Sequence, residues 1–342
     1  MNVPGAAARV DRLMRERGSS IAPIHALVGA RMAEVERLYR EHLASPVAIV
    51  DQLGSYIAEG QGKRLRPMLH LLTASMVGYR GPHDTLLGVV LEYIHSATLV
   101  HDDVIDEAAT RRGRASVNAR WGNNLTVLFG DYLFAKAMDL ALRADSLEIM
   151  RQLADVTLRM TEGEMLQTRF VGRLDVSVPE YLDMVERKTA ALFACCCQTA
   201  GILAGIDPNH RRALSGYGRN LGMAFQLIDD LLDFTGDERR LGKPSGSDLR
   251  EGKATLAVLD AVAAGDGEVR RLATAVMDAA AIDDGPLVAL RERLLASGAF
   301  ARVQTLAQRY AQDAVRALDG FDGGAAATAL RTLPEILVYR DQ

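Results

Sequence analysis

Two groups of aspartates with the same D-D-x-x-D spacing are the residues of this sequence that most directly suggest chemistry. They are Asp102, Asp103 and Asp106, after the apolar run 91–100, and Asp229, Asp230 and Asp233 in "QLIDDLLDF" (226–234). On a helix, positions i and i+4 share one face with i+1 beside them, so each group presents two carboxylates together. Grouped carboxylates repel one another unless a cation lies between them, and such oxygen ligands suit Mg²⁺. One group could be a solvated acidic turn, but two after apolar helices predict a metal site.

Basic residues that can bind phosphate oxygens accompany both aspartate groups. The stretch "GKRLRP" (62–67) places Lys63, Arg64 and Arg66 in a loop able to surround an anion. The other cations are Arg111 and Arg112 after the first group, Lys188 within an apolar helix, and Lys243 and Lys253 around a glycine-containing loop. Arginine and lysine both bind phosphates, although any one of them alone is more often a surface charge. Together with the metal sites, they predict two polyphosphate ligands.

The composition limits the classes of protein to consider. The 342 residues are 49% hydrophobic with a formal net charge of −4, which excludes a nucleic-acid binder with an overall basic surface. No apolar stretch is long enough to span a membrane, and residues 1–18 lack the apolar segment of a secretory signal. Cys195 to Cys197 are consecutive and point apart on a helix, so they indicate packed core residues rather than a metal site. Free thiols fit a cytoplasmic protein.

Apolar residues recur at helical spacing along nearly the whole chain, and no alternating pattern predicts a strand. Long helices are predicted over 127–142, 181–205, 214–234 and 254–264. Breaker residues separate the helices at 79–84, 204–209, 235–253 and 319–328. The loop 235–253 is long for a compact helical protein, which is typical of a lid or a binding segment. The pattern predicts one all-α domain over residues 1–342.

These motifs, in this order, resemble those of the trans-isoprenyl diphosphate synthases, also called polyprenyl synthetases. The matching stretches are "GKRLRP" (62–67), "HSATLVHDDVIDEAATRRG" (95–113), "GDYL" (130–133), "KTAALF" (188–193), "FQLIDDLLDFTGD" (225–237) and "LGKPSGSDLREGKATL" (241–256). The signature motifs lie within residues 60–340. The chain departs from the family's pattern at two positions. The usual glycine pair before the lysine is Gln61-Gly62 here, and the proline common after "GKATL" is Ala257. Neither removes a ligand, so both concern the shape of a loop.

The resemblance implies the isoprenoid synthase fold, a bundle of mostly antiparallel helices around a deep central cavity, usually in a homodimer. It implies Mg²⁺-dependent head-to-tail condensation of isopentenyl diphosphate with an allylic diphosphate, such as farnesyl, geranyl or dimethylallyl diphosphate. The implied metal ligands are Asp102 and Asp106 with Asp103 in support, and Asp229 with Asp230 and Asp233. The first group would bind Mg²⁺ that bridges the allylic diphosphate, and three ions are expected in each active site.

The same resemblance assigns the basic residues to the two substrates. Isopentenyl diphosphate would be bound by Lys63, Arg66, His95 and Arg112. The allylic diphosphate would be bound by Arg111, Lys188, Lys243 and Lys253. Thr189 and Gln226 would lie near the developing carbocation. Mg²⁺ and the cations would stabilise the departing diphosphate, while apolar helix faces exclude water.

The length of the product should depend on the helix that ends in Asp102. Ala97 and Thr98 lie one turn before it, and one turn rises about 5.4 Å, roughly one isoprene unit. Both side chains are small, whereas the resemblance implies bulky aromatics there in members with short products. The residues that could close the cavity more deeply are Val90, Leu91, Ile94, Phe134 and Met138. A medium- or long-chain all-trans product of roughly C30–C50, of the kind used for quinone side chains, is expected.

Alternative functions differ from this one in identifiable motifs. A geranylgeranyl diphosphate synthase would share every motif and differ only in product length. A class I terpene cyclase would normally carry an Asn/Asp–Ser/Thr–Glu motif as its second group and lack "GKRLRP". A non-catalytic subunit of a heteromeric synthase usually loses one aspartate group. No nucleic-acid partner is expected, and contact with a membrane is expected only for release of the apolar product.

Overall fold

The computed structural model describes residues 21–60, 62, 64–111, 113–235, 245–279 and 284–339. Lys63, Arg112 and Lys243, three of the expected diphosphate ligands, lie outside these ranges. Helices form nearly all of the regular structure in the described part of the chain, which confirms the all-α prediction. None of the described helices combines the length and the apolar content that a membrane span requires.

The helices follow one another with short connections. The first eight are α1 (Ala22–Leu27), α2 (Gly29–Leu43), α3 (Ala48–Ala58), α4 (Leu65–Met76), α5 (His83–Ile105), α6 (Val117–Trp121), α7 (Asn123–Leu142) and α8 (Leu147–Phe170). The next are α9 (Val178–Val185), a π-helical turn (Glu186–Ala190), α10 (Ala191–Leu203) and α11 (Pro208–Thr235). The last are α12 (Ser247–Arg250), α13 (Leu256–Ala263), α14 (Gly267–Met277), α15 (Asp284–Ala296), α16 (Ala299–Ala317) and α17 (Ala325–Tyr339).

A short antiparallel hairpin follows α5, where the sequence predicts no strand. Its strands are β1 (Thr110–Arg111) and β2 (Arg114–Ala115), with Arg111 paired to Arg114. Two residues per strand are too few to show an alternating pattern. Gly113 has a positive φ of 73°, which its missing Cβ permits at the turn. The hairpin places Arg111 beside the first aspartate group.

The helix predicted over 181–205 is in fact interrupted by the π turn. Its start is set by Ser177 and Glu180, which form a reciprocal capping box at the N-terminus of α9. The helices predicted over 127–142 and 214–234 are present and begin a few residues earlier than predicted, as α7 and α11. The helix predicted over 254–264 is α13, which is slightly shorter than predicted. In particular, α11 runs unbroken through the second aspartate group.

Two clusters of buried apolar side chains form the core, and α11 contributes to both. The first cluster includes side chains of α2, α4, α5, α7, α10 and α17. The second includes the later part of α11 together with α13, α14, α15 and α16. Cys195, Cys196 and Cys197 are buried free thiols in the first cluster, and burial raises the pKa of Cys195 to about 12. Their interpretation as packed core residues is confirmed.

A proline inside α17 is compensated by a tyrosine from α11. Pro334 lies within α17 and has no N–H to donate to the carbonyl of Leu330, four residues earlier. The buried Tyr217 hydroxyl donates a hydrogen bond to that carbonyl oxygen at 2.6 Å. This contact fastens the last described helix to α11, which carries the second aspartate group.

We predict that Tyr217→Phe lowers the free energy of unfolding by about 1–3 kcal/mol, because it leaves a buried carbonyl without a donor. In a Pro334→Ala background the same change should cost less, since the new N–H can satisfy that carbonyl. Chemical denaturation of the four proteins of this double-mutant cycle measures the difference. Equal losses in both backgrounds would show that the proline does not matter to the contact. Tyr339→Phe, at an exposed position of α17, is the control.

Candidate active site

A cavity of about 460 Å³ brings the two aspartate groups together. The lining residues that the sequence analysis singled out are Asp102, Asp106, Arg111, Lys188, Thr189, Gln226, Asp229, Asp230, Asp233 and Lys253. They come from the ends of α5 and α11, from β1, from the π turn and from the segment that follows α12. The structure thus gathers carboxylates and cations that lie far apart in the sequence.

Two carboxylates of the first aspartate group form ion pairs with cations from other elements. Arg111 Nε donates a hydrogen bond to Asp103 Oδ1 at 2.5 Å, and Lys253 Nζ lies 2.7 Å from Asp106 Oδ2. Burial raises the pKa of Asp103, and Arg111 opposes that shift. The two pairs fasten the hairpin and the segment after α12 to the end of α5.

Lys188 links α8 to the first aspartate group. Its ammonium forms an ion pair with Glu164 and donates a hydrogen bond to Gln167, both on α8. It also lies 3.9 Å from the carboxylate of Asp102. Burial raises the pKa of Asp102 to about 6, while Lys188 opposes the shift. Any further cation near Asp102 would favour its ionised form for the same electrostatic reason.

Hydrogen bonds from α11 itself and from two other helices, α9 and α12, hold the second aspartate group. Gln226 Nε2 donates to Asp230 Oδ1 at 2.9 Å, and the Tyr181 hydroxyl donates to Asp230 Oδ2. Burial raises the pKa of Asp230 to about 7, and both donors oppose that shift. Ser247 Oγ donates to Asp233 Oδ1 at 2.9 Å. Asp229 is only half-buried in the same lining.

The π turn orients the polar groups between the two aspartate groups. Lys188 and Thr189 both lie on it, and Thr189 Oγ1 donates a hydrogen bond to Gln226 Oε1 at 2.9 Å. The amide of Gln226 therefore accepts from Thr189 and donates to Asp230, which fixes its orientation. A single π-helical turn inside an α-helix is rare and is frequently found at functional sites.

Two glycines allow neighbouring helices to approach the π turn closely. A Cβ on Gly163 of α8 would lie 2.5 Å from the backbone nitrogen of Lys188. A Cβ on Gly222 of α11 would lie 2.6 Å from the Cα of Ala190. A Cβ atom does not approach another heavy atom this closely, so only glycine at these two positions lets α8 and α11 pack against the π turn.

Sequence reasoning missed several residues that line the cavity or hold its side chains. They are Gly163, Glu164 and Gln167 on α8, Tyr181 on α9, and Asp248 on α12. Glu164 and Gln167 are three positions apart and so share a face of α8. That spacing could have indicated a functional site, because the two polar residues follow a glycine on a face of α8 that is otherwise apolar. Tyr181 carries no local signal of its role, whereas Asp248 lies within the matching stretch 241–256.

Other predicted residues lie outside the lining of this cavity. Arg66 has its guanidinium 5.0 Å from the ring centre of Phe193, and His95 is half-buried on α5. Ala97 is fully buried, and Thr98 donates its hydroxyl to the backbone carbonyl of His95. Of the deeper candidates, Val90, Leu91 and Ile94 are fully buried, while Phe134 and Met138 are partly buried. The roles assigned to all of these residues stay predictions.

The donor set of the cavity fits Mg²⁺ bound together with a diphosphate. Within the described residues, no three acidic, histidine or cysteine side chains are close enough to enclose a metal ion by themselves. Mg²⁺ usually takes one or two carboxylates and completes its coordination with water and substrate phosphates. Asp102, Asp106 and Asp229 supply such carboxylates, and the nearby cations supply partners for phosphate oxygens.

The fold is an all-helical bundle, and its cavity gathers carboxylates and cations in an arrangement that suits diphosphate groups bound with divalent cations. The polyprenyl synthetase family model matches residues 47–285. The octaprenyl diphosphate synthase of Escherichia coli (strain K12) is 39% identical over 323 residues, which cover 94% of this chain and 100% of that protein. The chain therefore belongs to the polyprenyl synthetase family, whose members are prenyltransferases, and the resemblance seen in its motifs is confirmed.

Solved structures agree with this assignment. A polyprenyl synthase from Caulobacter crescentus CB15, complexed with calcium and isoprenyl diphosphate, superposes with a TM-score of 0.89 at 38% identity. The match covers 95% of this chain and 100% of that one. A decaprenyl diphosphate synthase from Rhodobacter capsulatus gives a TM-score of 0.88 at 35% identity, with 94% and 100% covered. The predicted isoprenoid synthase fold is confirmed.

We predict that Gly163→Ala impairs binding of the allylic diphosphate, which Lys188 is expected to hold. The added methyl group would displace the backbone of Lys188, and misplacement by about 1 Å can cost on the order of 10²-fold in rate. Steady-state kinetics should show a fall in kcat and a rise in the KM for the allylic diphosphate, with little change in the KM for isopentenyl diphosphate. Gly216→Ala is the matched control, because a Cβ there meets open space on α11. Wild-type kinetics for Gly163→Ala would contradict the role given to the close contact.

Proposed function

We propose that this chain condenses isopentenyl diphosphate head to tail with an allylic diphosphate and yields a medium- or long-chain all-trans polyprenyl diphosphate. The observation that carries the proposal is the convergence of both aspartate groups with Arg111, Lys188 and Lys253 in one cavity. The relatives named octaprenyl and decaprenyl diphosphate synthase support a product of this length class. They make geranylgeranyl diphosphate the less favoured product.

In the proposed reaction the cavity stabilises the leaving group, stabilises the electron-poor carbon and excludes water. The carbon–oxygen bond of the allylic diphosphate breaks, and the diphosphate leaves with the electron pair. The double bond of isopentenyl diphosphate then attacks the allylic carbon, and transfer of a proton from the resulting cation to the released diphosphate restores a double bond. Lys188, Lys253 and Arg111 hold the negative charge of the leaving group, and Thr189 with Gln226 presents oxygen atoms towards the electron-poor carbon. Helix faces around the lining keep water from the cation.

Mg²⁺ is the proposed cofactor, with three ions in each active site. Bound there, Mg²⁺ neutralises charge on the departing diphosphate. Asp102 and Asp106 would hold ions on one side, with Asp103 fixing Arg111 behind them. Asp229 would hold an ion on the other side. Asp230 and Asp233 already receive hydrogen bonds from Tyr181, Gln226 and Ser247, and so would orient that side of the site.

The direct test is product analysis. The purified protein is incubated with labelled isopentenyl diphosphate, Mg²⁺ and, in separate reactions, dimethylallyl, geranyl or farnesyl diphosphate, and the products are separated by chain length. We expect products longer than geranylgeranyl diphosphate from at least one primer. Release of diphosphate with a cyclic hydrocarbon and no use of isopentenyl diphosphate would instead identify a terpene cyclase.

We predict that Asp102→Asn and Asp229→Asn each lower kcat by on the order of 10²- to 10³-fold at saturating Mg²⁺, because each removes charge that stabilises the transition state. The substitutions keep the size of the side chain, so thermal unfolding should show an intact fold. Asp139→Asn, an exposed aspartate of α7, is the control and should behave as the wild type. Near-normal turnover in either site variant would make the metal assignment wrong.

The proposed length of the product rests on the small side chains of α5. Ala97 is buried among other core residues, so the growing chain would have to pass between α5 and its neighbours to reach it. We predict that Ala97→Phe shortens the product, and that Thr98→Phe does so even if the first variant folds poorly. The product distribution of wild type and both variants, measured side by side, checks this. A wild type that stops at farnesyl diphosphate, or unchanged distributions in both variants, would contradict it.

We also propose that the enzyme acts as a homodimer in the cytoplasm. Exposed large apolar side chains concentrate on α7 and α8, where they are Val127, Leu128, Leu142, Leu147, Leu158 and Met165. A second copy of the chain would remove these surfaces from water. The single domain over residues 1–342 and the transient contact with a membrane for product release belong to the same proposal.

A further inference from the structure

One arginine of the basic motif "GKRLRP" is paired with carboxylates of the protein itself. From the motif, Lys63, Arg64 and Arg66 are predicted to lie together in a loop able to surround an anion. In the structure the Arg64 side chain is only 10% exposed and is directed into the protein. Its partners are carboxylates, and they come from two helices that lie far from the loop in sequence.

Arg64 contacts two carboxylates and one aromatic ring. Its Nε lies 2.6 Å from Glu36 Oε1 on α2, and its Nη1 lies 2.8 Å from Glu92 Oε1 on α5. Its guanidinium carbon stands 4.4 Å from the ring centre of Tyr39. Glu92 is only 7% exposed, so a buried carboxylate depends on this arginine for its countercharge.

The backbone of Arg64 is unusual in the same place. Arg64 has φ 46° and ψ 40°, the left-handed conformation that glycine adopts at little cost and other residues rarely adopt. It is also the N-cap of α4, whose second residue is Arg66. A residue without glycine's freedom persists here because its side-chain contacts fix it. The direction in which α4 begins is thus coupled to the two ion pairs.

The same contacts reach the helix that carries the other expected ligand of isopentenyl diphosphate. Glu92 lies one helical turn before His95 on α5, so an ion pair at Glu92 fixes the loop against that part of the helix. The Tyr39 hydroxyl is 3.0 Å from the hydroxyl oxygen of Ser96, the residue next to His95. Arg64, Tyr39 and Glu92 therefore connect the start of α4 to the segment of α5 around His95.

We propose that Arg64 is a positioning residue for the isopentenyl diphosphate subsite. It binds Glu36 and Glu92 rather than phosphate, and it fixes Arg66 relative to His95. The inference rests on the proposed function and adds to it a division of labour within the basic motif. Arg66 is the cation of the described part of the loop that contributes to substrate binding, and Arg64 sets where that cation stands.

The experiment compares two substitutions that break the same ion pair from its two ends. Arg64→Lys keeps a positive charge but loses the second bond of the fork. Glu92→Gln keeps the arginine and removes its buried partner. We expect both variants to raise the KM for isopentenyl diphosphate roughly 10- to 100-fold, with the KM for the allylic diphosphate almost unchanged. Equilibrium binding of isopentenyl diphosphate, measured by calorimetry, should weaken in parallel.

The matched control is Arg31→Lys. Arg31 on α2 forms an ion pair with the buried Asp84 at the start of α5, so it joins the same two helices at another point. It should lower the thermal midpoint by a similar amount and leave both KM values unchanged. If Arg64→Lys does not fold, the comparison of Glu92→Gln with Arg31→Lys decides the question.

Three results would overturn the proposal. If Glu92→Gln leaves the KM for isopentenyl diphosphate unchanged or lowers it while Arg64→Lys raises it, Arg64 binds phosphate directly. If both KM values rise together in step with the loss of stability, the ion pair is only structural. If neither variant changes either KM, the ion pairs of Arg64 have no effect on the subsite. A wild-type protein that does not consume isopentenyl diphosphate would instead overturn the proposed function.

Discussion

Placing several carboxylates in one buried cavity is costly, because they lose their contact with water and repel one another, and the rest of the structure compensates for that cost. Two aspartate groups face a single cavity, and burial alone would push their pKa values upwards, as it does for Asp102 and Asp230. The chain meets this cost with cations and hydroxyl donors from separate elements. Lys188 from the π turn and Lys253 from the segment after α12 pair with the first group, and Tyr181 from α9 donates to the second. The helices must therefore meet at the cavity in one arrangement.

That arrangement is obtained by close packing next to the charged groups. The π turn between α9 and α10 carries Lys188 and Thr189, and glycines on α8 and α11 allow its backbone to approach at very short distances. Gln226 then joins Thr189 to Asp230 through the two ends of one amide. The positions of the reactive groups are thus determined by backbone contacts on one side and by hydrogen bonds on the other.

The parts of this site that depend on local spacing could be predicted from the sequence. The aspartate groups, Lys188, Thr189 and Gln226 were found because helical periodicity and family motifs point to them, and the all-α fold follows from the same periodicity. The inward direction of Arg64, the contact at Gly163 and the hydrogen bond from Tyr181 depend on which helices pack together. Periodicity contains no information on such partners. The hairpin after α5 was missed because two-residue strands have no pattern.

The carboxylates and cations of the cavity should bind Mg²⁺ and diphosphate together more tightly than they bind either one alone. The most direct measurement is the affinity of the wild-type protein for Mg²⁺ by equilibrium dialysis, with and without saturating inorganic diphosphate and corrected for the complex formed in solution. Because coupling between two ligands is reciprocal, we expect diphosphate to tighten Mg²⁺ binding by on the order of 10- to 100-fold. Equal Mg²⁺ affinity with and without diphosphate would show that the cavity does not bind the two together.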